Sequence, residues 1–518
     1  MVRLKLWWAL LLALTTVMAS EARADDWYLV ETDNFLLYSY DDEADTKAFA
    51  RDLERLDQVM RILTGIGPAR EPSPSYNKVT VFRFGEGKDI GRLAGSRWVG
   101  GFFIPRAGQP VAFVPKTATK VRGLGQKASG LELDPTGVLY HEYAHYFMYR
   151  HAPAAYPAWY SEGFAELFYT IDLGDDRFTI GEPPASRAYS LGTMRPETRK
   201  MFGSKEGDDV DRIESERVYG HGWLLSSHLL LDPRRSGQLS RYLTLLNQGR
   251  NSRSAAEEVF GDLDALDAEL DAYRRSNARI LHIPYYDTSE PRLSVRRLTD
   301  AETEVIRMVA QSNAGVTEKE ARGQLSQARS AVEKYPESVP VLLAATEVEF
   351  DNDNFDEAER LANAALAIDS DSMGAALYRA RVSLARGAKD AAHYDEARLR
   401  FAAANRIDND DPRALNGYYL AHILDDREIN DSVALALEAA HREATYDRSI
   451  RRTLAHLLMN EGRRDEAFVV MTPLMNDPHS KDGQEMMALF RSEKDEDRAK
   501  LMEMLAPRPH GWEPPEDE

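Results

Sequence analysis

The sequence predicts an α+β fold: an N-terminal half of mixed sheet and helices, followed by an α-helical solenoid. Three observations point that way. Strand alternation and helical spacing interleave up to about residue 280, helical spacing runs almost unbroken from about residue 317, and one short phrase recurs in that second half. The 518 residues are enough for more than one core, and 43% hydrophobic residues mark globular protein. A net charge of −20 argues against a nucleic-acid partner, because phosphate binding wants clustered Lys and Arg. With no cysteine, disulfides, iron–sulfur clusters, thiolate metal sites and cysteine nucleophiles are excluded. Any metal must be held by His, Asp and Glu.

The first 24 residues read as an export signal. Arg3 and Lys5 precede an apolar run from Leu6 to Ala19, and Ala22-Arg23-Ala24 places small residues where a signal peptidase cuts. The run is too short to span a bilayer, so no stable membrane anchor remains after cleavage. The mature protein is expected outside the cytoplasm, and in the periplasm if the source is Gram-negative. Residues 25–280 form the first unit. Trp27–Val30 and Phe35–Tyr38 predict a hairpin, and Phe49, Leu53, Leu56, Val59, Met60 and Leu63 predict a helix over 43–63. Gly65 to Pro74 is loop, Val79 to Phe84 a strand, and Gly101 to Val114 a further strand or hairpin. Two helices are expected over 135–150 and about 157–170, then a polar stretch, a helix over about 217–231 and more helices to about 278. Gly85-Glu-Gly87-Lys88 and Gly123-Leu-Gly125-Gln-Lys127 lack phosphate-loop spacing and read as turns.

Residues 281–316 read as a connector and 317–495 as helical repeats. Phe355-Asp-Glu-Ala358, Tyr394-Asp-Glu-Ala397 and Arg464-Asp-Glu-Ala467 share one phrase, with Asn430-Asp-Ser-Val433 a weaker copy. Ala358, Ala397, Ser432 and Ala467 are 39, 35 and 35 residues apart. The segment resembles tetratricopeptide repeats, which implies stacked helix pairs and a surface for a protein partner. The tail 506–518, with four Pro and a terminal Glu-Asp-Glu, is expected to be disordered.

One constellation carries chemistry. His141-Glu142-Tyr143-Ala144-His145 lies in a helix that Asp134 can cap and Pro135 can start. Positions i and i+4 share a helix face, so both imidazoles can reach one cation. Glu142 beside them is placed to take a proton from a water rather than to bind metal. Sixteen residues separate His145 from Glu162, enough to turn and return on the next helix, where Glu162 and Glu166 again share a face. Buried carboxylates need partners, and a zinc ion supplies one for Glu162. Glu166 can accept the free ring N–H of His141.

The pair HEYAH and Trp159-Tyr160-Ser161-Glu162-Gly163-Phe164-Ala165-Glu166 resembles the gluzincin metallopeptidases, the superfamily of thermolysin-like and aminopeptidase-N-like enzymes. The resemblance implies Zn2+ on His141, His145 and Glu162, Glu142 as general base, Glu166 behind the ligands, and a peptide or protein substrate. Arg217-Val-Tyr219-Gly-His221-Gly-Trp-Leu-Leu resembles the helix whose tyrosine stabilises the oxyanion in aminopeptidase-like relatives, which implies that role for Tyr219, with His221 as the alternative. His228 reads as packing. Two features depart from that group: the His145–Glu162 spacing is two residues short, and the segment that binds a free amino terminus is absent, the upstream strand reading Val99-Gly-Gly-Phe-Phe-Ile104. Endopeptidase action is therefore favoured over aminopeptidase action. The competing class is an inactive repeat scaffold whose metal site is degenerate or structural.

Overall fold

The computed structural model describes residues 26–69, 71–95, 100–117, 119–120, 132–203, 212–275, 280–287, 289–477, 480 and 482–508. The expected signal at 1–24, the turn at Gly123 to Lys127 and the tail beyond residue 508 lie outside the described residues.

Strand β1 (Trp27–Glu31) and strand β2 (Phe35–Tyr40) form the expected antiparallel hairpin. β3 (Val79–Arg83) adds to β2 in parallel, β5 (Val111–Val114) adds to β3 in parallel, and β4 (Phe102–Ile104) pairs antiparallel with β5. The sixth strand, β6 (Ser294–Arg297), pairs with β1, with Tyr28 opposite Arg297. The mixed sheet therefore has the order β6-β1-β2-β3-β5-β4, with β4 the terminal strand among the described residues. An aromatic ladder of Tyr38, Phe82, Phe113 and Phe102 stacks across four adjacent strands at centroid distances of 5.2, 5.4 and 4.6 Å.

Helix α1 (Glu43–Thr64) starts at Asp42, whose side chain accepts from the Asp45 N–H, and ends at Gly65 in the left-handed region. Helix α2 (Pro135–His151) starts at Asp134, which accepts from the N–H groups of Thr136 and Gly137, with Pro135 in the first turn. Val30, Phe35, Leu37, Val79, Val81 and Ala112 pack with α1 and α2 on one side of the sheet. Trp27, Phe82, Phe84, Val111 and Phe113 form a second core on the other side with Ile306, Ala310 and Ala314 of helix α5 (Asp300–Ala314). Residues 281–316, expected as a connector, are thus built into the first unit: they supply an edge strand and the helix that covers the sheet's second face.

Helix α3 (Ala158–Tyr169) and helix α4 (Gly222–Leu231) complete the site region. Their contact is backbone on backbone. A Cβ on Gly163 would lie 2.2 Å from the Gly222 carbonyl, and one on Gly222 would lie 2.4 Å from the Trp159 carbonyl oxygen. Only glycine permits that approach.

Among the described residues, eleven helices run between Glu318 and Leu505. Ala358, Ala397, Val433 and Ala467 are all buried, so the inward position of the weaker phrase is Val433, while Ser432 is exposed. Helix α6 (Arg448–Asn460) and helix α7 (Arg464–Met475) belong to the same core as α1 and α2. The junction is polar as well as apolar. Thr445 Oγ1 donates to the Tyr149 carbonyl at 2.6 Å, and Ala107 N–H donates to Asp447 Oδ2 at 2.6 Å. Tyr446 donates to Asn77 Oδ1 at 2.5 Å and packs edge-on to Tyr146 at 4.8 Å. Among the described residues no helix is long and apolar enough to cross a membrane.

Candidate metal centre

The helix spacing does what the sequence predicts: α2 presents His141 and His145 on one face, and α3 brings Glu162 against both. His141 Nε2 and His145 Nε2 are 3.2 Å apart, Glu162 Oε2 is 3.3 Å from His141 Nε2, and Glu162 Oε1 is 3.5 Å from His145 Nε2. A tetrahedral cation about 2.0–2.1 Å from each ligand atom needs ligand separations of about 3.3–3.4 Å. The imidazole pair and each imidazole–carboxylate spacing, one to either oxygen of Glu162, fall near that size, and the donor set of two imidazoles and one carboxylate suits a metal ion, so these residues could hold one. Glu162 is fully buried, and the imidazoles expose 12% and 15% of their side chains. Burial alone would lower the His145 pKa, but the carboxylates of Glu162 and Glu142 outweigh it and raise it to about 9. The pocket favours positive charge, as a cation site must.

The surroundings orient the ligands. Ser161 Oγ lies 3.2 Å from His145 Nδ1, so a ring N–H there can donate to the hydroxyl while Nε2 stays turned to the metal position. Glu166 sits behind His141, but its Oε1 is 3.9 Å from Nδ1, too far for the hydrogen bond expected from sequence. Arg187 takes that oxygen instead, with Nε at 3.1 Å and a terminal nitrogen at 2.6 Å. Its guanidinium also lies over the Tyr219 ring, 4.4 Å from the centroid.

Tyr219 enters the site from a π-helical turn, Arg217–His221, that leads into α4. Its ring is stacked near His141, with centroids 6.3 Å apart and planes 15° apart. Burial, then the carboxylates of Glu162 and Glu142, push its hydroxyl well above the usual phenol range, against the opposing pull of Arg187, so it stays a donor. His221, two residues on, is fully buried and points elsewhere, its Nε2 3.3 Å from the Ser190 carbonyl oxygen. His228 is buried too, donating from Nε2 to Glu269 at 2.9 Å and packing on Tyr273. Glu142 borders a cavity beside His145.

The residues read from sequence as a site, His141, Glu142, His145, Glu162, Glu166 and Tyr219, therefore converge, while His221 does not join them. Ser161 and Arg187 went unread. Ser161 is adjacent to Glu162, and its helical position one residue back is a usable signal. Arg187 lies in the polar stretch, where no periodicity marks it. No protein-family model matches this chain, and a search of curated proteins returned no match.

Proposed function

We propose that this protein is an exported zinc-dependent peptidase. One observation carries the reading: two imidazoles and the two oxygens of one carboxylate lie at separations close to those of a tetrahedral site, while Glu142, adjacent in sequence, lines a cavity together with His145. Three protein ligands with a carboxylate beside the open position favour catalysis over a closed structural site. When bound, zinc would polarise a scissile carbonyl and bring the pKa of a water towards 7. Glu142 takes the proton from that water and delivers it to the leaving amine. Tyr219, kept protonated, donates a hydrogen bond to the oxyanion of the tetrahedral intermediate. Arg187, bound to Glu166, steadies Tyr219 from behind. An extended substrate adds alongside β4, the last strand of the described sheet. In this reading residues 25–280, with β6 and α5, are the peptidase unit. Residues 317–495 form a tetratricopeptide-like solenoid able to recruit substrate or a protein partner, and export places the protein in the periplasm. Glu142→Ala tests the assignment: it should keep the metal and lose nearly all hydrolysis of peptides. Near-wild-type turnover in that variant would refute it.

A further inference from the structure

A cavity of about 100 Å³ lies between α2 and the C-terminal helices, with Glu142 and His145 in its wall. One side is Phe103 of the edge strand β4 and Tyr146 of α2; the other is Tyr446 and Leu474, the latter on α7. Some 300 residues of sequence separate the two walls. We infer that this cavity is a side-chain pocket for an apolar residue of the peptide substrate, and that the C-terminal helices supply the wall that selects it. The inference rests on the peptidase reading above and deepens it.

Size, lining and position all support it. The volume lies well above the ~15 Å³ that holds one water and below the ~150 Å³ that takes a benzene, which suits a branched aliphatic side chain. Apart from Glu142 and His145, the charges in the walls are already committed. Arg448 is paired with Asp477, and the buried Arg451 donates to the carbonyls of Val470 and Thr445. An acidic substrate side chain would meet Glu142 and give up water without gaining a partner, and a basic one would pair with the carboxylate needed as general base, whereas an apolar one gains burial. The pocket adjoins Glu142 and His145 but not Tyr219, so it receives a side chain flanking the scissile bond on the His145 side. Its walls are held by the bonds that join the two halves at Thr445, Tyr446 and Asp447. The C-terminal helices therefore act in the site itself as well as offering a remote surface.

The test uses the mature full chain loaded with zinc and a series of alanine peptides in which one Leu is stepped through every position. Cleavage is read as kcat/KM, and binding of the same fluorescently labelled peptides to Glu142→Ala is read by anisotropy. One Leu position should be preferred about tenfold over Ala in both readouts. Leu474→Trp, which fills the pocket, should erase that preference in both readouts, bringing the Leu peptide down to the level of the all-alanine peptide in the same variant, with the metal content unchanged. Leu474→Phe serves if the larger ring prevents folding, and Arg448→Ala, which opens the rim, should admit Phe or Trp in place of Leu. A folded filling variant that keeps the full preference overturns the inference. Cleavage with no preferred Leu position also overturns it and leaves the peptidase reading standing. Binding preference without any cleavage, lost in Leu474→Trp, would instead refute the peptidase reading and keep the pocket.

Discussion

Gly163→Ala separates two opposing expectations. Helix propensity alone favours alanine by about 1 kcal/mol, because glycine in a helix interior surrenders more backbone entropy. The contact with α4 says the opposite. The new Cβ would stand 2.2 Å from both carbon and oxygen of the Gly222 carbonyl and 2.6 Å from Ser226 Oγ. Ordinary contact needs about 3.5 Å, so α3 and α4 must move apart by about 1.3 Å. Overpacking of that kind costs about 1–3 kcal/mol and more where backbone is struck, so packing wins and the variant loses about 2 kcal/mol net. The displacement falls on Glu162, the preceding residue, and on the turn that carries Tyr219. A misplacement of about 1 Å costs about 100-fold in turnover. The control is Gly323→Ala, on the helix Glu318–Lys334, where an added Cβ meets nothing within 4 Å. It should gain up to about 1 kcal/mol. Urea midpoints of both variants, with metal affinity measured alongside, provide the assay. Gly163→Ala matching Gly323→Ala in stability, with unchanged metal affinity, would refute the argued contact.

Other perturbations separate the roles of neighbouring groups. Tyr219→Phe should keep wild-type metal content yet lower kcat by about 100-fold, as loss of one oxyanion donor does; an unchanged kcat removes Tyr219 from the mechanism. Arg187→Ala leaves the buried Glu166 carboxylate without its guanidinium and should weaken metal affinity by about 10-fold, measured by chelator competition. Burial, aided by Arg217 and Arg274 and opposed by the Ser190 carbonyl, lowers the His221 pKa to about 4. Its contribution to stability is therefore fully present above pH 6.5 and is lost as the pH falls through 4, up to about 3 kcal/mol in all. Urea melts between pH 7 and pH 4 should show wild type losing more stability than His221→Asn, and parallel curves would contradict the assignment.

The parts legible in the sequence are those set by local rules. The spacing of Phe49, Leu53, Leu56 and Met60 predicts α1, and Asp134 with Pro135 predicts the start of α2, because capping and periodicity act within a few residues. The metal triangle was readable for the same reason: i and i+4 positions on two successive helices leave few ways to fold. What was not readable depends on contacts remote in sequence. Nothing in Ser294–Arg297 announces that it completes a sheet begun at Trp27, since a short strand gains its register from the partner. The extra residue in the turn before α4, which aims Tyr219 and turns His221 away, has no side-chain signature. The wall that Tyr446 and Leu474 give to the cleft follows only from the docking of the two halves.

We propose that His141, His145 and Glu162 hold one metal ion. The most direct test is the metal content of purified mature protein, residues 25–518, by mass spectrometry after zinc reconstitution, beside His145→Ala and Glu142→Ala. About one zinc per chain is expected in wild type and in Glu142→Ala, and almost none in His145→Ala. Wild type without zinc, or His145→Ala with as much as wild type, would contradict it.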